Sequence, residues 1–186
     1  MFRQIFLALT LSILPATLLA QDEDGTDTPG NWIVTHQKAH GIWSTICDER
    51  ANARDTTKRC YIRWVDVFSP RPDFAAQFIF VTAEKDGLQV AFGIEPGTLF
   101  NPDGFRIETM QGASWSTNHP GCLTGLACTF AGQEAEILLA SMADGGTFVF
   151  DFVDRHGARQ SLGWALGGFA AAMADFGTQR ALRALP

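Results

Sequence analysis

The sequence has few of the residues and motifs that carry enzyme chemistry. It contains four histidines and one tyrosine among 186 residues. Gly-x-Ser-x-Gly, His-Glu-x-x-His, phosphate-binding and dinucleotide-binding motifs are all missing. Cys-x-x-Cys is missing too, which argues against thiol exchange. These absences predict a protein that is not an enzyme and that needs no cofactor or metal.

Long hydrophobic runs are also scarce, and the longest lies at the N-terminus. A basic start containing Arg3 leads into an apolar run from Ile5 to Leu19, followed by the small residue Ala20. This pattern is typical of a secretory signal peptide at residues 1–20. An uncleaved anchor is the alternative, but the run is shorter than the roughly 20 residues that span a bilayer. No later segment is apolar enough to predict a transmembrane helix.

Basic side chains are in the minority, with 14 against 20 acidic ones and a formal net charge of −6. Loss of Arg3 with the signal makes the chain one charge more acidic. Such a surface disfavours nucleic acid and anionic lipid as partners. Residues 21–30 are polar and acidic and predict a linker. A single domain is then expected over 31–178, with a C-terminal tail over 179–186.

All four cysteines lie in the part of the chain that is predicted to be exported. An even number of cysteines in an oxidising compartment predicts two disulfides. Four cysteines allow three pairings, and closeness in sequence favours Cys47–Cys60 and Cys122–Cys128. A zinc site is the competing interpretation. Structural zinc prefers cysteine pairs with two to four residues between them, and these pairs have twelve and five.

Alternating apolar and polar residues, separated by turn-forming residues, predict many short strands. In 60–68, Ile62 and Trp64 share one face, while Tyr61 and Arg63 share the other. Such strands at short intervals favour a β-sandwich.

Three segments with few apolar residues predict interruptions between these strands. Residues 36–40 are expected to form a loop or an irregular strand. The charged stretch 48–58 is expected to form a long loop. Asn101-Pro102-Asp103-Gly104 carries strong turn chemistry.

Helical periodicity is confined to the C-terminal third of the chain. Apolar positions around Leu138 and Met142 predict a short helix after the second cysteine pair. Phe169, Met173 and Phe176 form one stripe of a closing helix. The expected fold is therefore mostly β: an immunoglobulin-like antiparallel β-sandwich with these two helices.

Several histidines are candidates for a metal site or for a catalytic pair. His36 and His40 would lie about 13 Å apart along a strand, so a solvated polar segment is preferred to a metal site. His119 near Ser116 and Cys122 would need a free thiolate, which a disulfide removes.

A second set of polar residues lies at a predicted hairpin. Asp151, Asp154 and His156 cluster there, and turn formation accounts for Asp154 without any reaction.

A surface for binding another protein is the remaining candidate. Trp64, Phe68 and Phe74 flank a Pro-Arg-Pro turn that contains Arg71. Aromatic residues and arginine are enriched at protein interfaces. The alternative is that these rings belong to the core.

The order of several short motifs resembles the invasion-associated locus B proteins of Gram-negative bacteria. Gly30-Asn31-Trp32 is similar to the family's opening Gly-Asp-Trp, and Cys122 to Cys128 is similar to its paired-cysteine loop. Gly168-Phe169-Ala170-Ala171-Ala172 is similar to its C-terminal ending. Cys47 lies fifteen residues after Trp32, farther than in the family, so residues 35–45 are interpreted as an insertion.

The resemblance implies a periplasmic or envelope-associated immunoglobulin-like sandwich. We therefore expect a non-enzymatic protein of the periplasm, secreted or associated with the outer membrane, that binds an envelope or extracellular protein. The alternative is a periplasmic module that binds a small ligand, either a glycan or a peptide.

Overall fold

The computed structural model describes residues 31–51, 55–69, 75–93, 98–119, 122 and 128–186, without the side chains of 67–69 and 75–77. The predicted signal peptide at 1–20 and the predicted acidic linker at 21–30 lie outside the described residues.

Within these ranges the chain forms ten strands and two helices. The strands are Ile33–His40 (β1), Trp43–Ala51 (β2), Thr56–Ser69 (β3), Ala75–Glu84 (β4), Gly87–Gly93 (β5), Leu99–Thr109 (β6), Gly112–Ser116 (β7), Cys128–Phe130 (β8), Thr147–Val153 (β9) and Arg159–Ala165 (β10). The helices are Gly132–Ala143 (α1) and Phe169–Leu182 (α2).

The strands form two antiparallel sheets. The larger sheet has the order β1-β2-β3-β4-β5-β8, and the smaller has the order β10-β9-β6-β7. The sheets meet through aromatic rings: Phe92 of the larger sheet lies 4.8 Å from Phe105 and 5.6 Å from Phe148, measured between ring centroids. Trp164 Nε1 also crosses between the sheets to donate a 2.7 Å hydrogen bond to Asp66 Oδ2. This aromatic layer is the core of a β-sandwich.

The helices lie on the same side of the larger sheet as the smaller sheet does. In α2, Phe169 packs edge-on against Trp43 with 5.0 Å between ring centroids. Thr45 Oγ1 donates a 3.1 Å hydrogen bond to the carbonyl of Ala172. Helix α1 contacts β5, β7 and α2. One face of the larger sheet, which we call the inner face, is therefore covered by the smaller sheet and by α2.

Both cysteine pairs form disulfides, Cys47–Cys60 and Cys122–Cys128. Cys47 and Cys60 are direct cross-strand neighbours in β2 and β3, with 4.1 Å between their Cα atoms. All four cysteines are buried. Disulfides of this kind indicate an oxidising environment, as expected for an exported protein.

The predicted fold class is confirmed: mostly β, two antiparallel sheets, a helix after the second cysteine pair and a closing helix. Helix α2 runs four residues past residue 178, where the domain was expected to end. Among the described residues, no helix is long and apolar enough to cross a membrane.

The long loop predicted over 48–58 is wrong. Strand β2 continues to Ala51 and β3 begins at Thr56, and Asp48 pairs with Arg59 across the two strands. The charged side chains suggested a loop because their partners lie on the neighbouring strand. Residues 36–40 belong to β1, whose register shifts between Val34 and His36.

The turn predicted at 101–104 is also wrong as a break between strands. Phe100 pairs with Phe152 and Phe105 pairs with Phe150, so the intervening residues bulge out of a continuous β6. Asp103 adopts a positive φ of 58° within this bulge. The same residue types that favour turns also suit a β-bulge.

Removal of either disulfide is expected to lower stability. In the chain-entropy account, Cys47→Ala/Cys60→Ala loses about 3 kcal/mol and Cys122→Ala/Cys128→Ala loses roughly 2.4 kcal/mol, because the second ring is shorter. Urea unfolding of the oxidised proteins measures both values. Unchanged midpoints in the two variants would contradict this prediction.

Candidate functional site

The outer face of the larger sheet is the surface with the most unusual composition. Strand alternation places Trp43, Thr45 and Cys47 on the inner face, and therefore places Asp48 and Arg50 on the outer face. On β3 and β4 the outer positions carry aromatic rings, arginines and a valine. We call this set the arginine–aromatic strip: Trp32, Arg50, Arg59, Tyr61, Arg63, Val65, Phe78 and Phe80.

A buried carboxylate anchors one end of this strip. Asp48 is only 3% exposed and accepts hydrogen bonds from Arg59 Nε at 2.6 Å and Arg59 Nη2 at 3.1 Å. The Tyr61 hydroxyl donates to the same carboxylate at 3.2 Å. The hydrogen bond with Asp48 raises the pKa of Arg59, although partial burial opposes it. Burial and the nearby Asp48 charge raise the pKa of Tyr61. Arg59 therefore stays charged and Tyr61 stays neutral.

The same arginine holds the tryptophan that precedes β1. The guanidinium carbon of Arg59 lies 3.8 Å from the centroid of the Trp32 ring, and that of Arg50 lies 5.1 Å from it. These are cation–π distances. Trp32 of the Gly-Asn-Trp motif is thereby fixed against β2 and β3.

Aromatic contacts continue the strip across β4 to β5. Tyr61 and Phe80 lie 5.6 Å apart, and Phe80 and Phe78 lie 5.3 Å apart, measured between ring centroids. The Phe78 ring covers Gly93, where an added Cβ would lie 1.8 Å from Phe78 Cζ. A glycine is needed here because the ring occupies the space of a side chain.

The far end of the strip exposes apolar surface. Val65 and Phe78 are cross-strand partners and remain 39% and 38% exposed. Their exposed surface is contiguous with the aromatic contacts of Phe80. An apolar and aromatic surface with arginines beside it has the composition of a protein interface.

The binding residues predicted from the sequence, Trp64, Phe68, Arg71 and Phe74, form a different set. Trp64 lies on the inner face and packs edge-on against Trp164, with 6.4 Å between ring centroids. Arg71 and Phe74 lie outside the described residues, and so does the side chain of Phe68. The four are therefore not brought together within the described part of the chain.

Part of the strip is indicated in the sequence by strand alternation and not by a motif. Strand alternation predicts Tyr61 and Arg63 together on one face, and the same alternation puts Phe78 and Phe80 on one face of β4. Pairing those strands face to face was the missing step. The contact between Trp32 and Arg59 spans 27 residues and no local pattern predicts it.

His36 and His40 meet at a carboxylate of α2. Their Nε2 atoms lie 3.0 and 3.3 Å from Asp175 Oδ2. Because a carboxylate only accepts hydrogen bonds, each Nε2 carries a hydrogen. Burial alone would raise the pKa of Asp175, but the hydrogen bonds from both histidines lower it. This bridge fastens the edge strand β1 to α2. Within the described ranges no group of three or more His, Cys, Asp or Glu side chains could hold a metal ion.

The other residues considered for chemistry have structural surroundings. Cys122 is in a disulfide and has no thiol to pair with His119. Asp154 accepts hydrogen bonds from Gln160 Nε2 at 2.8 Å and from the backbone N–H groups of His156 and Ala158, each at 2.9 Å. These bonds, with that from Gln160 the strongest, lower its pKa. Asp154 shapes the β9–β10 turn, as the sequence analysis expected.

A shallow polar groove of about 460 Å³ lies on the smaller sheet beside the 101–104 bulge. Arg106 spans it, with contacts of 2.7 Å to Asp151 Oδ2 and 2.7 Å to Glu108 Oε1. Ser161 Oγ donates to Asp151 Oδ1 at 2.7 Å. The hydrogen bond from Ser161, followed by that from Arg106, lowers the pKa of Asp151. Arg106 and Asp151 therefore neutralise one another, whereas Arg159, which also lines the groove, has no ion pair among the described residues.

Comparison with known proteins gives one structural similarity. The chain is similar to the crystal structure of invasion associated protein B from Bartonella henselae, with a TM-score of 0.46 and 14% sequence identity, over 78% of this chain and 99% of that one. No model of a protein family matches the chain. A search of curated proteins finds no match either.

Gly93→Ala is expected to push the Phe78 ring off β5. The clash between the new Cβ and the ring is relieved by rotating the ring outward, which costs roughly 1–3 kcal/mol of stability. Gly177→Ala in α2 is the control, since an added Cβ there meets no atom within 4 Å, and it should be neutral or stabilising by up to about 1 kcal/mol. Urea unfolding gives the energies, and NMR contacts between Phe78 and Phe80 report the ring. Unchanged ring contacts in Gly93→Ala would contradict the prediction.

Asp175→Asn is expected to lower stability at neutral pH and to weaken its dependence on acid. The folded pKa of Asp175 is lowered. Its contribution is therefore present above the unfolded value of about 3.9 and is lost as pH falls through the folded pKa. Urea unfolding from about pH 7 down to about pH 2 measures the difference. The exposed Asp144→Asn should follow wild type within about 0.5 kcal/mol. A wild-type profile for Asp175→Asn would be the contrary result.

Proposed function

We propose that this chain is an exported, non-enzymatic protein of the invasion-associated locus B type that binds a protein partner through the arginine–aromatic strip. The observation that carries the proposal is the outer face of the larger sheet. There Val65 and Phe78 remain exposed beside a row of aromatic rings and arginines, and the buried Asp48 carboxylate positions Arg59 and Tyr61 of that row. The proposed partner is a protein of the cell envelope or of the host interface.

The energetics of the strip support binding rather than simple solvation. A buried aspartate is costly unless its charge is compensated, and Asp48 is compensated by Arg59 and Tyr61. This arrangement fixes side chains that would otherwise lose rotamer freedom on binding. Preorganised aromatic and arginine side chains are the usual hot spots of protein interfaces.

The compartment follows from sequence features outside the described residues together with the disulfides. Residues 1–20 have the pattern of a signal peptide, and all four cysteines are oxidised. We propose the periplasm as its compartment, with secretion or association with the outer membrane as the alternatives. Trp32 and Gly168-Phe169, two of the motifs that resemble the family, occupy structural positions at the strip and at the start of α2.

A second candidate function is binding of a small glycan or peptide, and the polar groove on the smaller sheet favours it. Asn101, Arg106, Asp151, Gln160 and Ser161 present amide, guanidinium, carboxylate and hydroxyl groups around about 460 Å³. That volume is within the range of small-ligand sites. The internal pairing of Arg106 and Asp151 makes this the weaker candidate.

The exported chain, immobilised and exposed to an envelope extract, is expected to capture a partner through the strip. Val65→Thr/Phe78→Thr should reduce capture by about thirtyfold, because truncation of two interface anchors at about 1 kcal/mol each costs about 2 kcal/mol. Leu99→Thr/Met110→Thr is the matched control, since these side chains are 56% and 99% exposed on the smaller sheet and in its β6–β7 turn. Quantitative mass spectrometry of the captured proteins measures the ratio.

Equal capture by the two double variants would exclude the strip as the interface. A glycan that raises the melting temperature of both variants, with no protein captured, would instead support the second candidate.

A further inference from the structure

The strip leaves two of its three arginines without an ion pair inside the described part of the chain. Arg59 forms an ion pair with Asp48. Arg50 lies beside Trp32, and its Nε is buried with no hydrogen-bond partner among the described residues. Arg63 is half-buried between Ser44 and Phe80 on the neighbouring strands. Because neither Arg50 nor Arg63 has a carboxylate partner among the described residues, an incoming carboxylate at their terminal N–H groups would form a charge-assisted hydrogen bond without displacing an existing ion pair.

The two unpaired arginines have a defined spacing. Arg63 pairs in register with Ser44, six residues before Arg50 on the antiparallel neighbour β2. At about 3.3 Å per residue, their backbone positions lie about 20 Å apart along the strands. The Asp48–Arg59 ion pair and the Tyr61 ring lie between them, and Phe80 is the cross-strand partner of Arg63. The span therefore has an unpaired cation at each end and a compensated ion pair and an aromatic ring between them.

Charge on the rest of the molecule favours this surface for an acidic ligand. The whole chain has a formal net charge of −6, so an acidic segment is repelled by most of the surface and attracted where arginines cluster. Glu84 at the end of β4 accepts a 3.4 Å hydrogen bond from Thr82 and is a carboxylate of the same face. Glu84 lies on β4, two residues past Thr82, the cross-strand partner of Tyr61, so it is one strand to the side of the line from Arg50 to Arg63. The attraction is strongest along that line, on β2 and β3.

We propose, building on the proposed function, that the partner presents an extended acidic segment with carboxylates six residues apart and apolar side chains between them. In an extended chain, residues i, i+2, i+4 and i+6 point to one side. Carboxylates at i and i+6 reach Arg50 and Arg63. By the strand register, the apolar side chain at i+4 lies on Tyr61 and the one at i+2 lies over Arg59, while Phe80 flanks the carboxylate at i+6 beside Arg63. Arginine favours carboxylates because its planar fork matches their geometry.

The test uses a labelled peptide, Glu-Thr-Phe-Thr-Phe-Thr-Glu, and fluorescence anisotropy with the exported chain. We expect binding that weakens as salt is raised. Arg50→Gln/Arg63→Gln should weaken binding about tenfold, because two ion pairs with the peptide, worth about 0.7 kcal/mol each, are lost. Lys38→Gln, which removes a charge from the inner side of β1, should leave it unchanged. The peptide with Gln at both ends should bind about tenfold more weakly to wild type.

A charge-reversal variant distinguishes loss of the binding site from loss of the folded structure. Arg50→Glu/Arg63→Glu should lose the acidic peptide and gain the peptide with Lys at both ends. Equal binding of the Glu-ended and Gln-ended peptides, or an equal loss with Lys38→Gln, would overturn the proposal. Binding that appears only after deletion of residues 21–30 would overturn it in favour of the chain's own acidic segment. Burial of the strip in a dimer, seen by sedimentation, would also overturn it.

The two proposals fail in different ways. If Arg50→Gln/Arg63→Gln still captures the envelope partner while Val65→Thr/Phe78→Thr does not, the strip is an interface but its ligand is not acidic. If both double variants capture as wild type does, the proposed interface itself is wrong.

Discussion

The register between β2 and β3 is the constraint on which both faces of the larger sheet depend. Cys47 and Cys60 face each other directly, and their disulfide fixes that register covalently. Side chains alternate with a period of two, so a slip of one residue exchanges the faces. Such a slip of β3 would turn Arg59 and Tyr61 toward the core, away from Asp48, and expose Ile62 to water. The disulfide therefore does more than shorten the unfolded chain: it holds the binding candidate on the outside.

The buried carboxylate of Asp48 then organises that outer face. It is 3% exposed, and a lone charge at that depth would be strongly destabilising. Arg59 and Tyr61 satisfy it, and Arg59 in turn positions Trp32 through a cation–π contact. One electrostatic requirement on β2 thus fixes side chains on β3 and on the segment before β1. On the inner face at this point the cysteines and Ile62 are apolar, and beside Cys47 the edge strand contributes His36 to the bridge with Asp175.

The sequence supported some of these features because their signals are local. Cysteine spacing, strand alternation and the helical stripe around Leu138 depend on near neighbours, and the sandwich with two helices followed from them. The charged stretch 48–58 misled because Asp48 and Arg59 compensate each other only across two strands. The turn residues at 101–104 misled because they suit a bulge equally well. The strip itself required knowing which strands pair, and the contact of Trp32 with Arg59 required the tertiary fold.

The arginines on the outer faces of the two sheets are compensated differently, and this difference bears on where a partner binds. On the smaller sheet, Arg106 is neutralised by Glu108 and Asp151, and Ser161 donates a further hydrogen bond to Asp151. At Arg106 that surface gains little from a charged ligand, since its ion pairs would have to be broken first. On the larger sheet, Arg50 and Arg63 have no ion pair among the described residues, and the Tyr61 ring between them is already ordered by its contacts with Asp48 and Phe80. A ligand there loses little by displacing existing contacts, so the same number of new contacts yields more affinity.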